Sequence, residues 1–143
     1  LPWGRGDKGY RNIAETDIIE VLADVDGQFK TDPKRQYLYG FSMGAAGTLR
    51  FAQLDIDRWT AVGAYSGSLR NPTPEEVAKF KDTPVWLTWG ALETRLVNAN
   101  AELIKMFEEA GVEVKATQVE GVGHRYLGEY QKDLLDWLLT KSK

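Results

Sequence analysis

Between Glu15 and about Phe29, apolar residues recur at steps of three and four, at Ile18, Ile19, Val21, Leu22, Val25 and Phe29, which predicts a helix with one buried face. Ahead of it, Leu1 to Arg11 mixes glycine and charge without a period and reads as an irregular loop. After Asp32-Pro33, the short run Gln36 to Gly40, carrying Tyr37, Leu38 and Tyr39, predicts a buried strand. Met43 to Leu54 follows as a helix that opens on Gly44, Ala45, Ala46 and Gly47, small enough to pack closely on that strand. Further strands are expected over about Thr60 to Tyr65, Val85 to Trp89 and Glu113 to Val119. Gly67 to Pro84 reads as loop, interrupted by a short helix from Glu75 to Phe80 whose Pro74 suits a first-turn position. A longer helix from about Val97 to Ala110 stops at Gly111, where a left-handed cap is wanted. Beyond the loop Glu120 to Arg125, the final helix from about Leu127 to Leu139 places Leu134, Leu135, Trp137, Leu138 and Leu139 for docking on a sheet. Strands alternating with helices predict an α/β fold, a mostly parallel sheet of about four strands with helices on both faces. No internal repeat or low-complexity segment interrupts it.

Composition narrows the picture. A chain of 143 residues with 43% hydrophobic content builds one core, so residues 1–143 form a single domain. The charged residues are of mixed sign, the formal net charge is -3 and no basic block occurs, which argues against nucleic acid and an anionic membrane as partners. Cysteine is absent, which excludes disulfides, thiolate chemistry and cysteine-bound zinc, and the single histidine argues against a histidine-rich metal site. No run approaches the roughly 18 apolar residues of a membrane span and no charged-then-apolar leader opens the chain, so a soluble protein is expected. The first residue is Leu1, which fits a removed leader, a domain or a fragment of a longer chain.

The chemistry concentrates at Gly40-Phe41-Ser42-Met43-Gly44, a G-x-S-x-G segment lying where a predicted strand turns into a predicted helix. A serine at such a turn has a strained backbone, the flanking glycines let strand and helix approach, and the hydroxyl stands clear of the sheet as a nucleophile. A neutral hydroxyl needs a base, and His124, in the loop after the last strand, is the one histidine available. Active groups in open α/β sheets gather beyond the carboxyl ends of strands, which brings the Ser42 turn and the His124 loop to one edge. Glu93, a short turn after the third strand, is the carboxylate expected to orient the imidazole, with Glu120 as a weaker rival. The order serine, acid, histidine is the one expected of this architecture. The Met43 amide supplies one oxyanion donor; the second is expected from Leu1 to Arg11 or from a partner chain, or else it is lacking and the site is partly impaired. Trp3 and Leu92 are candidates to line an acyl pocket. Gly4-Arg5-Gly6-Asp7-Lys8-Gly9 spells G-x-G-x-x-G but lacks the strand before it and the helix after it, so a dinucleotide site is set aside, as is the Arg5-Gly6-Asp7 adhesion tripeptide.

These residues resemble the α/β-hydrolase superfamily, in particular the dienelactone-hydrolase, prolyl-oligopeptidase-like and feruloyl or acetyl esterase branch. Gly4-Arg5-Gly6, Gly9-Tyr10, Glu15-Thr16-Asp17, Asp32-Pro33-Lys34-Arg35, the Gly40 to Gly44 elbow, Tyr65-Ser66-Gly67, Trp89-Gly90-Ala91-Leu92-Glu93 and Gly123-His124 carry the likeness over nearly the whole chain. Glutamate stands at Glu93 where that branch commonly has aspartate, and the likeness begins partway through the family's fold, without its first strands. The strand carrying Ser42 is then expected at an edge, covered by the N-terminal segment, by a second copy in a homodimer or by a missing fragment. The resemblance implies hydrolysis of small soluble or short-chain carboxylic esters through an acyl-enzyme, without a cofactor; the large gating domain of the peptidases has no room here. The contrasting expectation is a non-catalytic remnant of the fold that serves as a binding or assembly module.

Overall fold

The computed structural model describes residues 10–143. Helix α1 (Ile13–Gln28) leads to strand β1 (Tyr37–Phe41), helix α2 (Met43–Ala52), a 3-10 turn (Ile56–Arg58) and strand β2 (Ala61–Tyr65). Then follow α3 (Pro74–Ala78), β3 (Val85–Gly90), α4 (Thr94–Glu109), β4 (Val114–Val119) and α5 (Gly128–Leu139). Every strand and helix expected over these residues is present, with ends shifted by a few positions. Two such shifts have local causes. At the start of α3, the Thr73 hydroxyl accepts from the Glu76 amide at 3.3 Å and the Glu76 carboxylate accepts from the Thr73 amide at 2.9 Å, a reciprocal cap that begins the helix at Pro74. Helix α4 begins at Thr94, not Val97, with Glu93 as its N-cap residue.

The four strands run parallel in the order β1-β2-β3-β4. All five residues of β2 and all six of β3 are buried, as the centre of a parallel sheet covered on both sides requires, while β1 is half-buried along its length. Alternation along the strands divides the interior into two. Val62 and Ala64 of β2 and Val85, Leu87 and Trp89 of β3 pack with Leu49 of α2, Val77 of α3 and Leu103 and Phe107 of α4. Ala61 and Trp86 face the other way, under Leu134 and Leu138 of α5. Helices thus cover both faces, and the strand carrying Ser42 is an edge strand among the described residues.

Helix α1 departs from the sequence expectation. Ala14 and Ile18 are buried and Leu22 packs against the core, whereas Ile19, Val21 and Phe29 are exposed. Each residue turns the helix by about 100°, so Ile19 and Val21 lie to either side of the stripe through Ala14, Ile18, Leu22 and Val25. Phe29 is the C-cap residue and has an extended backbone, so the helical period no longer applies to it. A bidentate ion pair, Arg58 Nη1 and Nη2 to the two carboxylate oxygens of Asp26 at 2.8 Å each, ties the last turn of α1 to the 3-10 turn, and this hydrogen bonding lowers the Asp26 pKa.

Inside α4, Asn100 is fully buried, and among the described residues neither polar atom of its side-chain amide has a hydrogen-bond partner. An unpaired buried polar group costs about 1–3 kcal/mol. Asn100→Leu keeps the branched shape without the polar atoms and is expected to raise the thermal midpoint by about 3 °C in a calorimetric scan; a lower midpoint would show that the amide contributes more than its burial costs.

Candidate active site

Parallel register brings the ends of the strands together. Phe41 pairs with Tyr65, Tyr65 with Thr88, and Gly90 with Val119, so the chain leaves each strand at the same edge of the sheet. Ser42, Ser66 and the loops that carry Glu93 and His124 all start from that edge.

Ser42 joins β1 to α2 with φ 57° and ψ -118°, a region that a residue with a Cβ rarely occupies. A Cβ at Gly40 would collide with the Gly44 carbonyl, so only glycine there allows strand and helix so close. The Ser42 amide donates to the Tyr65 carbonyl at 2.8 Å, extending the β1–β2 pairing through the turn. Met43 provides the first amide of α2, which has no acceptor within the helix and lies at the positive end of its dipole.

Ser42 Oγ lies 2.7 Å from His124 Nε2, and His124 Nδ1 lies 2.6 Å from Glu93 Oε1. A carboxylate only accepts, so Nδ1 carries the proton and donates to Glu93, leaving the Nε2 lone pair to accept the Ser42 hydroxyl. The other oxygen, Glu93 Oε2, accepts from Ser66 Oγ at 2.8 Å and from the Gly90 amide at 2.7 Å. With its side chain only 5% exposed, Glu93 is thus held on both oxygens. Its carboxylate makes no cap bond to α4, although Glu93 is the N-cap residue; it serves the imidazole instead.

The surroundings fix these groups. Ser66 is buried with a positive φ of 54°, and its amide donates to the Thr88 carbonyl at 2.7 Å. The loops of Glu93 and His124 are joined by Leu92 N to Val122 O and Ala91 N to Val119 O, both 2.9 Å. A Cβ at Gly90 would strike the Val122 carbonyl, so this approach also needs glycine. Tyr65 Oη donates to the Arg125 carbonyl at 3.0 Å, and burial raises the Tyr65 pKa. The Phe41 ring stacks on the His124 imidazole, with centroids 5.3 Å apart and planes 24° from parallel. The site opens to solvent on two sides. A cavity of about 500 Å³ beside His124 is lined by Leu92, Leu96 and Ala99, and another of about 400 Å³ begins at Met43 and runs along α2.

The structure brings Ser42, His124 and Glu93 into one hydrogen-bonded chain and leaves Glu120 out of it. The exposed Glu120 carboxylate accepts from Gln118 Nε2 at 3.3 Å instead. Leu92 lines the cavity beside His124. Trp3, the glycine-rich motif of positions 4–9 and most of the stretch expected to give the second oxyanion donor lie outside the described residues. Among the described residues, no group of three or more histidine, cysteine, aspartate or glutamate side chains is arranged to hold a metal ion, and no helix is long and apolar enough to cross a membrane. Sequence reasoning missed Ser66, Phe41 and Tyr65. For Ser66 a signal existed, because the residue that follows each strand of a parallel sheet arrives at the same edge.

Residues 6–138 match the family described as "Putative esterase". No curated protein matches the sequence. Among solved structures, a thermostable esterase superposes with a TM-score of 0.81 at 21% identity, over 92% of this chain and 38% of its own. The esterase PE8 gives 0.72 at 23% identity, over 90% and 60%. A phospholipase/carboxylesterase from Dyadobacter fermentans gives 0.69 at 22% identity, over 88% and 62%. At these identities the likeness is one of fold, and the chain spans 38–62% of the length of these three proteins.

The single histidine makes the hydrogen-bonded chain directly observable. In proton NMR, the Nδ1–H of His124 is expected as one far-downfield resonance, lost in Glu93→Ala and exchange-broadened in Ser66→Ala, where Oε2 keeps one donor in place of two. An unchanged resonance in Ser66→Ala would mean that Ser66 does not hold the carboxylate.

Proposed function

The chain belongs to this esterase family, and on that footing we propose that it hydrolyses small carboxylic esters through an acyl-enzyme formed on Ser42. The observation that carries the reading is the continuous set of hydrogen bonds from Ser42 Oγ through the imidazole to Glu93. Ser42 Oγ attacks the ester carbonyl carbon as its proton passes to His124 Nε2. The carbonyl oxygen takes up the negative charge and is met by the Met43 amide at the start of α2. As the tetrahedral intermediate collapses, the carbon–alkoxide bond breaks and His124 returns the proton to the departing oxygen, releasing the alcohol. Water then attacks the acyl carbon, giving its proton to Nε2; the bond to Ser42 breaks, Oγ regains the proton, and the carboxylic acid leaves. Throughout, Glu93 keeps the imidazole in the tautomer with Nδ1 protonated and offsets the charge of the imidazolium.

Proton delivery to the leaving oxygen requires the alcohol half to lie on the imidazole side. The cavity there is mainly apolar, with Leu92, Leu96 and Ala99 beside Thr94 and Arg95, so we assign it to a small alcohol. Phe41, stacked on the ring, is a positioning residue that limits imidazole rotation.

A fluorophosphonate probe, with the modified residue mapped by mass spectrometry, tests nucleophile activation without assuming a substrate. Labelling is expected at Ser42 and is expected to disappear in His124→Ala. With p-nitrophenyl acetate, a burst of p-nitrophenol is expected, and Ser42→Ala should lower turnover by about four orders of magnitude or more. Labelling elsewhere, or turnover unchanged in Ser42→Ala, would overturn the assignment; no labelling of the intact chain would favour a binding module that retains the hydrogen-bonded residues without activity.

A further inference from the structure

With the alcohol half beside His124, the acyl half of a substrate points the other way, past the first turn of α2, into the cleft of about 400 Å³ that begins at Met43. That cleft is cationic. In a chain of net charge -3, Arg11, Arg50 and Arg70 all line it. Arg50 is paired with Glu15 at 3.2 Å, but among the described residues Arg11 and Arg70 have no ion-pair partner. The acid on the lining, Glu76, already has one carboxylate oxygen on the Thr73 amide at 2.9 Å. Ser68 also lines the cleft, and among the described residues its buried hydroxyl oxygen has no hydrogen-bond partner.

The wall is built and not incidental. The Tyr10 ring lies against Gly47 of α2, where any side chain would collide with it, and Tyr10 packs against the main core, which fixes the chain next to Arg11 on the cleft lining. Arg70, also on the lining, precedes Asn71, whose positive φ of 49° turns the chain after β2. Arg11 and Arg70 are exposed guanidinium groups without a counter-charge among the described residues, and the Ser68 hydroxyl has no partner there, so a carboxylate in the cleft would supply the charge and lone pairs to match them.

We propose that the acyl half of the substrate carries a free carboxylate held by Arg11, Arg70 and Ser68, so that the enzyme acts on monoesters of short dicarboxylic acids. The inference rests on the esterase reading above and names the substrate class for that same site. Neutral esters of equal length fit the space but leave the guanidinium groups unpaired, so they are the poorer substrates.

The test compares kcat/KM for the mono-p-nitrophenyl ester of adipic acid with that for p-nitrophenyl hexanoate, each corrected for spontaneous hydrolysis. At low ionic strength the anionic ester is expected to be favoured by about tenfold or more, the scale of one charge-assisted hydrogen bond. The preference should shrink in high salt, as exposed charges are screened. Arg11→Gln and Arg70→Gln should each bring the ratio toward one, and Arg70→Glu should turn it in favour of the neutral ester. A ratio of one or below in the unmodified protein, with both esters cleaved in a Ser42-dependent way, overturns this inference and leaves the catalytic reading intact. If neither ester is cleaved, the catalytic reading fails and free adipate decides the cleft: saturable NMR shifts at Arg11 and Arg70, weakened in Arg70→Gln, would keep the anion site, and no saturable shift would overturn it.

Discussion

Gly40 and the Gly44 carbonyl approach so closely that no side chain fits between them, and the geometry of the site depends on that contact. Strand and helix brought this near leave one residue to reverse direction, so Ser42 takes a backbone conformation unfavourable for any residue but glycine. The tight packing of β1, α2 and β2 holds it there, and its amide is fixed by the Tyr65 carbonyl. The result is a hydroxyl standing clear of the sheet with a helix start directly behind it. Relaxing the turn would move both the Oγ and the Met43 amide, which must face the same carbonyl group from different sides.

The acid and base are positioned by a different device. Neither Glu93 nor His124 sits in a strand; each lies in a loop, and the two loops are tied to each other and to the sheet by backbone hydrogen bonds and by the Tyr65 phenol. Ser66 contributes to both halves of the site. The strand it follows, β2, pairs with the strand that leads to the nucleophile, and its hydroxyl reaches the acid. Such a shared residue couples the orientation of the carboxylate to the register of β1 and β2.

Most of the element pattern can be read from the sequence, because parallel strands at the centre of a sheet are short apolar runs and glycine, proline and aspartate separate them. Ser42, His124 and Glu93 could be named for the same reason: each follows a recognisable strand. The choice of Glu93 over Glu120 needed three dimensions, since both lie near strand ends and only the orientation of the carboxylate separates them. Helix α1 buries a narrower stripe than its apolar spacing predicts. Apolar residues at helical spacing identify a face, but they do not tell how much neighbouring surface exists to cover it, and Ile19 and Val21 fall beyond its margin. The cationic cleft escaped the sequence altogether, because Arg11 lies far along the chain from Ser68 and Arg70 and no local spacing links the two segments.

The threefold hold on the Glu93 carboxylate has a consequence for how much the site must rearrange during a reaction. One oxygen takes the imidazole and the other takes a hydroxyl and an amide, so the negative charge already sits among oriented dipoles before any imidazolium forms opposite it. In water, the same charge development would require the solvent to reorient around both ions at each event. Here that reorientation is completed once, when the chain folds, and the entropy of aligning three side chains is lost at folding and not again at every turnover.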